Sequence, residues 1–410
     1  MERLTGLIGI VLILGIAFAF SNNKKRINLR LVLSGLGLQT VIALLVLKVS
    51  AVNRFFQYLG KGMEKIEGFA QKGAGFVYRG VGVVGDGGQV KGYGMAPNFV
   101  FAFNITATII LVCIIVAILY YLRIMQFIVQ WIAKGMKFIM QVSGSEALSN
   151  VASAFVGQVE AQVMIRAYIP TMTKSELLAS MSGSLACIAG GILVVYSSMG
   201  APADYLMAAS LMAAPGALVI SKIVFPETEE SPTFGSVKLD VKSGYSNFID
   251  AISHGAADGF KIAMNVIAML IGFIAFIELI NYLLMHINHQ LTLDFIFGKL
   301  FYPMAWSMGV PTQDVQNVAT LLGQKITINE FIAFKNLTSK ALPVVTSKGN
   351  LIVTVAICGF ANFASVGMQI GGIGALAPER RSDLAKLGLK ALLCGTLASY
   401  LSATIAGLIM

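Results

Sequence analysis

Two glutamates, Glu160 and Glu330, stand in polar stretches that have apolar residues on both sides. Gln158 lies two residues before Glu160, and we expect Asn362 to face Glu330 across a site that also contains Ser365. Carboxylates accept hydrogen bonds, whereas amides and hydroxyls both donate and accept them. This set therefore suits a neutral solute that is polyhydroxylated or carries amide groups. A phosphate group would instead require Arg or Lys in the site.

The composition places these glutamates in a membrane protein. Of the 410 residues, 56% are hydrophobic and 12% are charged, and the mean hydropathy is +0.78. A soluble domain carries about 25% charged residues, and a chain with so few would expose a continuous apolar surface to water. The net charge is +10. The basic residues lie mainly between apolar stretches, as at positions 24–30, which is typical of loops facing anionic cytoplasmic lipid and not of nucleic-acid binding.

An ionised side chain costs about 2.5–3.5 kcal/mol at the bilayer centre on insertion scales, so it is retained where it faces a water-filled cavity or a substrate. Glu160 and Glu330 fit that description. The alternative is that they form structural ion pairs with Arg166 and Lys335, since such pairs also place carboxylates in unusual surroundings.

A spanning helix needs about 20 mainly apolar residues. The sequence predicts eight spans, of which the last three are interrupted: 4–20, 31–49, 99–122, 203–224, 384–409, 176–198, 255–284 and 350–373. An amphipathic helix near 55–69 is expected to lie on the membrane surface.

Two polar stretches, 142–168 and 315–345, remain, and hydropathy alone would make them surface loops. Each contains a glycine–glutamine step and a carboxylate, and each precedes an apolar segment broken by glycine, at 190–191 and at 358–362. Matched broken segments in two halves indicate a midplane site between inverted repeats. We therefore predict an all-α fold in which these stretches are re-entrant hairpins, because irregular backbone at membrane depth must be buried in protein or line a cavity.

Other kinds of chemistry have little support. The four cysteines are far apart and lack CxxC spacing, so neither a disulfide framework nor a zinc site is indicated. No nucleophile elbow is present, and no organic cofactor or enzyme activity is expected. Asp258, Lys261 and Glu278 are assigned no role, although Asp258 and Lys261 could pair on one helix face.

Several ordered motifs resemble the concentrative nucleoside transporter family. They are 143–149 (SGSEALS), 155–160 (FVGQVE), 172–177 (MTKSEL), 329–334 (NEFIAF), 358–365 (CGFANFAS) and 369–374 (QIGGIG). The resemblance covers most of the chain from about residue 97 onward and is weakest before it. It implies an elevator-type transporter of the cytoplasmic membrane, with eight spans and two hairpins in each subunit of a homotrimer. The third and sixth spans would form the scaffold.

The resemblance also implies site roles. Gln158, Val159 and Glu160 would hold the nucleobase, and Glu330, Asn362 and Ser365 the ribose. Phe360 would pack beside both. A carboxylate can accept hydrogen bonds from both vicinal ribose hydroxyls.

Two departures from the family pattern concern the co-transported cation. Sodium-coupled members have an Asn and a Ser or Thr where this chain has Ser153 and Cys187. The carbonyls of Val156 and Ile188 could remain as ligands of a degenerate sodium site, but a thiol is a poor ligand for a hard cation. We expect H⁺ coupling, with Na⁺ as the alternative, and the proton on Glu160 or Glu330.

Three other positions also depart from the family pattern. Val159 stands where family members usually have a hydroxyl-bearing residue, and Gln162 and Ala167 stand where they usually have prolines.

The sequence thus divides into three parts. Residues 1–96 hold the N-terminal helices and the interfacial helix, 97–225 the first repeat and 226–410 the second. The expected function is cation-coupled nucleoside uptake. The alternative is a channel-like or signalling membrane protein that retains the transporter fold, because fold does not determine function.

Overall fold

A computed structural model describes residues 2–77, 83–85, 89–91, 101–232 and 245–410. The predicted boundary at 96/97 lies outside these residues. The N-terminal part contains α1 (Glu2–Ala19), α2 (Leu29–Lys48), α3 (Ser50–Val77), the antiparallel strands β1 (Val83–Gly85) and β2 (Gln89–Lys91), α4 (Phe101–Tyr121) and α5 (Ile124–Met140). The helix expected at 55–69 is the middle of the longer α3.

The middle of the chain contains the first hairpin and the first broken helix. The first hairpin consists of α6 (Gly144–Ser153), a turn and α7 (Glu160–Val163). The first broken helix consists of α8 (Lys174–Ala186) and α9 (Gly190–Ser198), and α10 (Ala203–Val224) follows it. The break falls at the predicted glycine pair, where a Cβ on Gly190 would lie 2.9 Å from the carbonyl oxygen of Phe155.

The C-terminal part repeats this order. It contains α11 (Phe248–Ile287), α12 (Leu293–Leu300), α13 (Tyr302–Ser307), α14 (Val315–Thr327), α15 (Glu330–Thr338), α16 (Ser347–Ile357), α17 (Phe363–Leu376) and α18 (Arg381–Ile409). Helices α14 and α15 form the second hairpin, and α16 and α17 form the second broken helix. Both predicted polar stretches are therefore hairpins that precede a broken helix.

By length and composition, four helices in the described ranges could cross a membrane: Leu29–Lys48, Lys174–Ser198, Ala203–Val224 and Pro378–Ile409. A fifth candidate is the pair Thr106–Tyr121 and Ile124–Met140, which is bent by 75°. The halves of the second broken helix are each shorter than a span. The count of eight spans stays a prediction.

The sixth predicted span, 255–284, is part of a much longer helix. Helix α11 has 40 residues, which corresponds to a length of about 60 Å, twice the hydrocarbon thickness of about 30 Å. Its backbone packs against α4 at two glycines. A Cβ on Gly255 would lie 2.8 Å from Ile114 Cα, and one on Gly259 would lie 2.7 Å from Ile110 Cα. These helices form a closely packed pair, the α4–α11 wall.

The hydrophobic core lies among the hairpins, the broken helices, α10 and α18, whose apolar residues form one buried cluster. The outer helices instead expose large apolar side chains, including Val11, Leu29, Leu33 and Phe138. An exposed apolar surface of this extent suits contact with lipid.

Candidate functional site

A cavity of about 740 Å³ lies between the hairpins, the broken helices and the α4–α11 wall. This volume falls within the range of about 300–1,000 Å³ that is usual for ligand pockets. The seven residues that the sequence singles out for substrate all line it: Gln158, Val159, Glu160, Glu330, Phe360, Asn362 and Ser365. The fold thus brings together residues that are about 200 positions apart in the chain.

Glu330 is the first residue of α15 and is 7% exposed. Its carboxylate accepts hydrogen bonds from Asn362 Nδ2 at 2.8 Å and from the Tyr196 hydroxyl at 3.1 Å. The backbone N–H of Glu330 itself also contributes. A carboxylate at a helix N-terminus is stabilised by the helix dipole. Glu330 is therefore held in one orientation at the cavity wall.

Asn362 has two functions in this arrangement. Its Oδ1 accepts the N–H of Ser365 at 2.8 Å and so caps α17, while its Nδ2 donates to Glu330. Asn329 caps α15 in the same way, by accepting the N–H of Ile332 at 2.9 Å. Both helices therefore begin at the cavity with their N-terminal ends, as in other transporters with broken helices.

Tyr196 was not singled out by the sequence analysis. It lies on α9, is fully buried, and stacks on Phe334 with a distance of 4.3 Å between ring centroids. Its hydroxyl links the first broken helix to Glu330 of the second hairpin. The only sign of its role in the sequence is that it lies six residues after the glycine at which the helix breaks. A tyrosine in an apolar helix is usually an ordinary core residue, so the sequence does not identify Tyr196 as part of the site.

The tip of the first hairpin depends on Gly157. Its φ is +152°, and a Cβ there would lie 2.3 Å from Glu160 Oε2. The Glu160 carboxylate thus lies close against the backbone of the turn, where the N–H groups of Val159 and Glu160 stabilise it. Unlike Glu330, Glu160 is exposed to the cavity.

The other tip residues differ in their surroundings. Gln158 Nε2 lies 3.8 Å from Met368 Sδ, and its Oε1 has no hydrogen-bond partner among the residues that the structure describes. Val159 packs on the second broken helix, since a Cβ on Gly372 would lie 2.8 Å from its methyl groups. An unsatisfied buried oxygen calls for a donor. Since Gln158 also lines the cavity, a rotation of its side chain would bring this oxygen to a ligand.

The alternative ion pairs are not formed. Arg166 and Lys335 are exposed, and within the described ranges neither Glu160 nor Glu330 forms an ion pair with them. Asp258 also lines the cavity, and among the ion pairs of the described residues it is not paired with Lys261. Glu278 is exposed on α11.

Comparison with known proteins agrees with this geometry. Three family models match: the Na⁺ dependent nucleoside transporter N-terminus over residues 8–81, nucleoside recognition (gate) over 102–203, and the Na⁺ dependent nucleoside transporter C-terminus over 205–407. An uncharacterized transporter of Bacillus subtilis, YutK, is 39% identical, with 100% of both chains covered. The nucleoside permease NupC of Helicobacter pylori is 35% identical, with 99% of this chain and 98% of the permease covered.

Among solved structures, CNTnw in an inward-facing substrate-bound state superposes with a TM-score of 0.91 at 36% identity. The match covers 100% of this chain and 99% of CNTnw. The chain belongs to the concentrative nucleoside transporter family. It is accordingly a multi-pass membrane protein with the elevator-type fold of that family, and it is not an enzyme.

Within this concentrative nucleoside transporter, the region of the expected degenerate sodium site holds a chain of hydrogen bonds. Gln162 Nε2 donates to Ser184 Oγ at 2.8 Å, Ser184 and Ser153 hydroxyls are 2.9 Å apart, and Ser153 donates to the Ser149 carbonyl at 2.7 Å. Ser180 donates to Gln162 Oε1 at 2.7 Å. We call these residues the hairpin network.

The hairpin network connects α6, α7 and α8 by side chains alone, and Gln162 is fully buried in it. The Cys187 thiol points elsewhere, since its Sγ lies 3.8 Å from the Asn150 carbonyl, while its own carbonyl accepts the N–H of Phe360 at 3.3 Å. The carbonyls of Val156 and Ile188 were the other expected ligands. The Ser153 hydroxyl, however, already has partners on both sides.

Proposed function

We propose that this protein takes up nucleosides across the cytoplasmic membrane, together with a cation, by elevator-type alternating access. The observation that carries the proposal is the Glu330 carboxylate, held by Tyr196 and Asn362 at the wall of a cavity formed by both repeats. The proposed division into N-terminal helices (1–96), first repeat (97–225) and second repeat (226–410) follows the same arrangement.

The substrate roles follow from the chemistry of the lining residues. Glu330, Asn362 and Ser365 are proposed to bind the ribose, because an ionised carboxylate accepts hydrogen bonds from both vicinal hydroxyls. Gln158, Val159 and Glu160 are proposed to contact the base. The unsatisfied Oε1 of Gln158 supports this role, since after rotation of the side chain into the cavity it can accept a hydrogen bond from a base amine or imide. Phe360 would pack against the base and sugar.

For the coupling ion we propose H⁺, carried on Glu160 or Glu330. The support is the hairpin network, in which Ser184 and the Ser149 carbonyl occupy the hydroxyl of Ser153, and the thiol at Cys187, which is a soft ligand. The family description names sodium, so sodium coupling is the competing outcome of the test.

The test is uptake of labelled uridine and adenosine by proteoliposomes that contain the purified protein. With an imposed inward proton gradient and no sodium, we expect accumulation that a protonophore abolishes. Glu330→Gln should abolish accumulation while the protein still folds, and Lys335→Met, a change at an exposed position of the same hairpin, should behave as the wild type. Strict dependence on sodium would contradict proton coupling, and no gradient-driven uptake of either nucleoside would contradict transport itself.

We further propose a homotrimer built around the α4–α11 wall. Helix α11 exposes many large apolar side chains, among them Ile271, Phe276, Leu279, Leu283 and Ile287. Such a face suits burial against other subunits or lipid. Native mass spectrometry in detergent should give three times the subunit mass, and a monomeric mass would contradict the trimer.

A further inference from the structure

Lys325 is a buried cation that the proposed transport cycle does not yet use. It lies near the end of α14 in the second hairpin and is 0% exposed. Its Nζ has no hydrogen-bond partner within the described part of the chain. The ring of Tyr400 on α18 lies 5.9 Å from Nζ. A buried ammonium is costly unless a negative charge offsets it.

Lys222 shows how this protein satisfies a buried lysine that has a structural role. Its Nζ lies 2.7 Å from Glu146 Oε2 and 3.4 Å from Glu227 Oε2, and it donates to Ser175 Oγ at 2.9 Å. Among the residues that the structure describes, Lys325 has no comparable set of partners. Direct ion pairs and hydrogen bonds of the kind that Lys222 forms therefore do not explain why Lys325 is buried.

The groups that act electrostatically on Lys325 are Glu330 on α15 and Cys358 at the end of α16, with the Tyr400 ring on the α18 side. Lys325 is in turn the cation that acts on Glu330, whose direct hydrogen-bond donors Tyr196 and Asn362 are neutral. The two charges do not form a direct ion pair. They interact through space between the two helices of one hairpin, and because both side chains are buried, they are screened less than surface charges are.

Glu160 has different neighbours. The charged group that acts on it is Asp258 of α11, which is also negative. The charged group that acts on Glu330 is thus positive, and the one that acts on Glu160 is negative. Two carboxylates in one cavity with such different surroundings are suited to different tasks.

We propose that Lys325 is a positioning residue for nucleoside binding, whose ammonium is the buried counter-charge that keeps Glu330 ionised in the closed site. This inference rests on the proposed function. An ionised Glu330 offers acceptors to both ribose hydroxyls, whereas the protonated acid turns one oxygen into a donor. A consequence is that the transported proton is carried by Glu160.

The test is the affinity of the purified full-length protein for uridine and adenosine, measured by calorimetry from acidic to alkaline pH. In Lys325→Met, Glu330 binds a proton more readily because its counter-charge is gone. The acid limb of nucleoside binding is the pH range in which affinity falls as the pH is lowered. In this variant it should move toward alkaline pH by about one unit or more, and affinity should recover at high pH. Lys335→Met is the matched control and should keep the wild-type profile.

An unchanged affinity and acid limb in Lys325→Met would overturn the proposal. So would a loss of affinity that is equal at every pH, because a packing defect does not depend on protons. If the wild type binds neither nucleoside, the proposed function itself fails, and the inference falls with it. That result comes from the wild type alone and is distinct from either variant result.

A second measurement does not depend on a ligand. Thermal unfolding of Lys325→Met, Glu330→Gln and the double variant gives a double-mutant cycle. Each single change leaves one buried charge without its counter-charge, so the double variant should lose less stability than the sum of the single losses. Additive losses would overturn the proposal. If Lys325→Met fails to fold, folding of the double variant would support it, and failure of the double variant as well would overturn it.

Discussion

At Tyr196, the contribution of the hydroxyl can be tested separately from that of the aromatic ring. Phe at this position would keep the stacking on Phe334 and lose the hydrogen bond to Glu330. A hydrogen bond to a charged group contributes about 1.5–3 kcal/mol, and about 1.4 kcal/mol corresponds to a factor of ten in affinity. Tyr196→Phe should therefore weaken nucleoside binding by about tenfold or more in calorimetry. Tyr282→Phe, at an exposed position of α11, is the control, and equal affinity in both variants would contradict the role given to Tyr196.

Lys222 allows a prediction about stability. It lies between Glu146 of the first hairpin and Glu227, which follows α10. Glu146 also completes a capping box with Ser143 at the start of α6. Removing one partner of a buried ion pair costs about 3–5 kcal/mol because the other charge stays buried.

Lys222→Met should accordingly lower the unfolding temperature in detergent strongly, and Lys222→Met with Glu146→Gln should recover part of the loss. Lys386→Met, at an exposed position of α18, should have little effect. A melting curve of Lys222→Met that matches the wild type would show that the ion pair is not formed in the folded protein.

The site residues that sequence analysis finds are those whose polarity contrasts with their flanks. Glu160, Glu330 and Asn362 stand out because polar groups inside apolar segments need an explanation. Tyr196 and Lys325 do not stand out. Tyrosine is compatible with an apolar helix, and Lys325 lies in a polar stretch where a lysine looks ordinary. The role of Tyr196 depends on Glu330, 134 positions further along the chain, and that of Lys325 depends on its complete burial without a hydrogen-bond partner in the described part of the chain. Only the fold shows either feature.

At the scale of the element, the first hairpin depends on its glycine. Gly157 has a positive φ and lies against the Glu160 carboxylate. Gly157→Ala would introduce backbone strain of order 1–3 kcal/mol and push Glu160 from its position. We expect strongly reduced uptake in proteoliposomes, with the protein still folded.

The control is Gly367→Ala. Gly367 lies inside α17, where a Cβ would meet no atom within 4 Å, so alanine should stabilise the helix by about 0.5–1 kcal/mol and leave uptake intact. Equal uptake by both variants would show that the conformation of the hairpin turn is not important for transport.

The elements that repeat were predictable, and those without a counterpart were not. Both hairpins and both breaks follow from matched glycines and carboxylates in two stretches of the sequence. Helix α5 was missed because Gln126, Gln130, Lys134 and Lys137 interrupt its apolar residues. The sequence does not predict the hairpin network either, although Gln162 stands where a proline is usual, because its partners Ser180 and Ser184 lie 18 and 22 residues further on.

At the scale of the whole molecule, the α4–α11 wall is the part that should stay fixed. Gly259 meets the backbone of Ile110 so closely that any side chain would force the two helices apart. Overpacking of this kind costs about 1–3 kcal/mol. Gly259→Leu should therefore lower both thermal stability and uptake. Gly272→Leu on the same helix, where a Cβ meets no atom within 4 Å, should change neither, and equal behaviour of the two variants would contradict a role for the close packing.

The position of the wall has a pharmacological consequence. The cavity reaches beyond Glu330 and Gln158 to Cys113, Tyr120 and Asp258 on the wall. In an elevator-type fold, a bound molecule that touches only the hairpins and broken helices can travel with them. A nucleoside analogue with a bulky group that also binds the α4–α11 wall would prevent the hairpins and broken helices from moving relative to it. Such a compound would bind without accumulating inside vesicles. It would inhibit transport by blocking the movement of the carrier, and its ribose would not need to bind more tightly than that of a nucleoside.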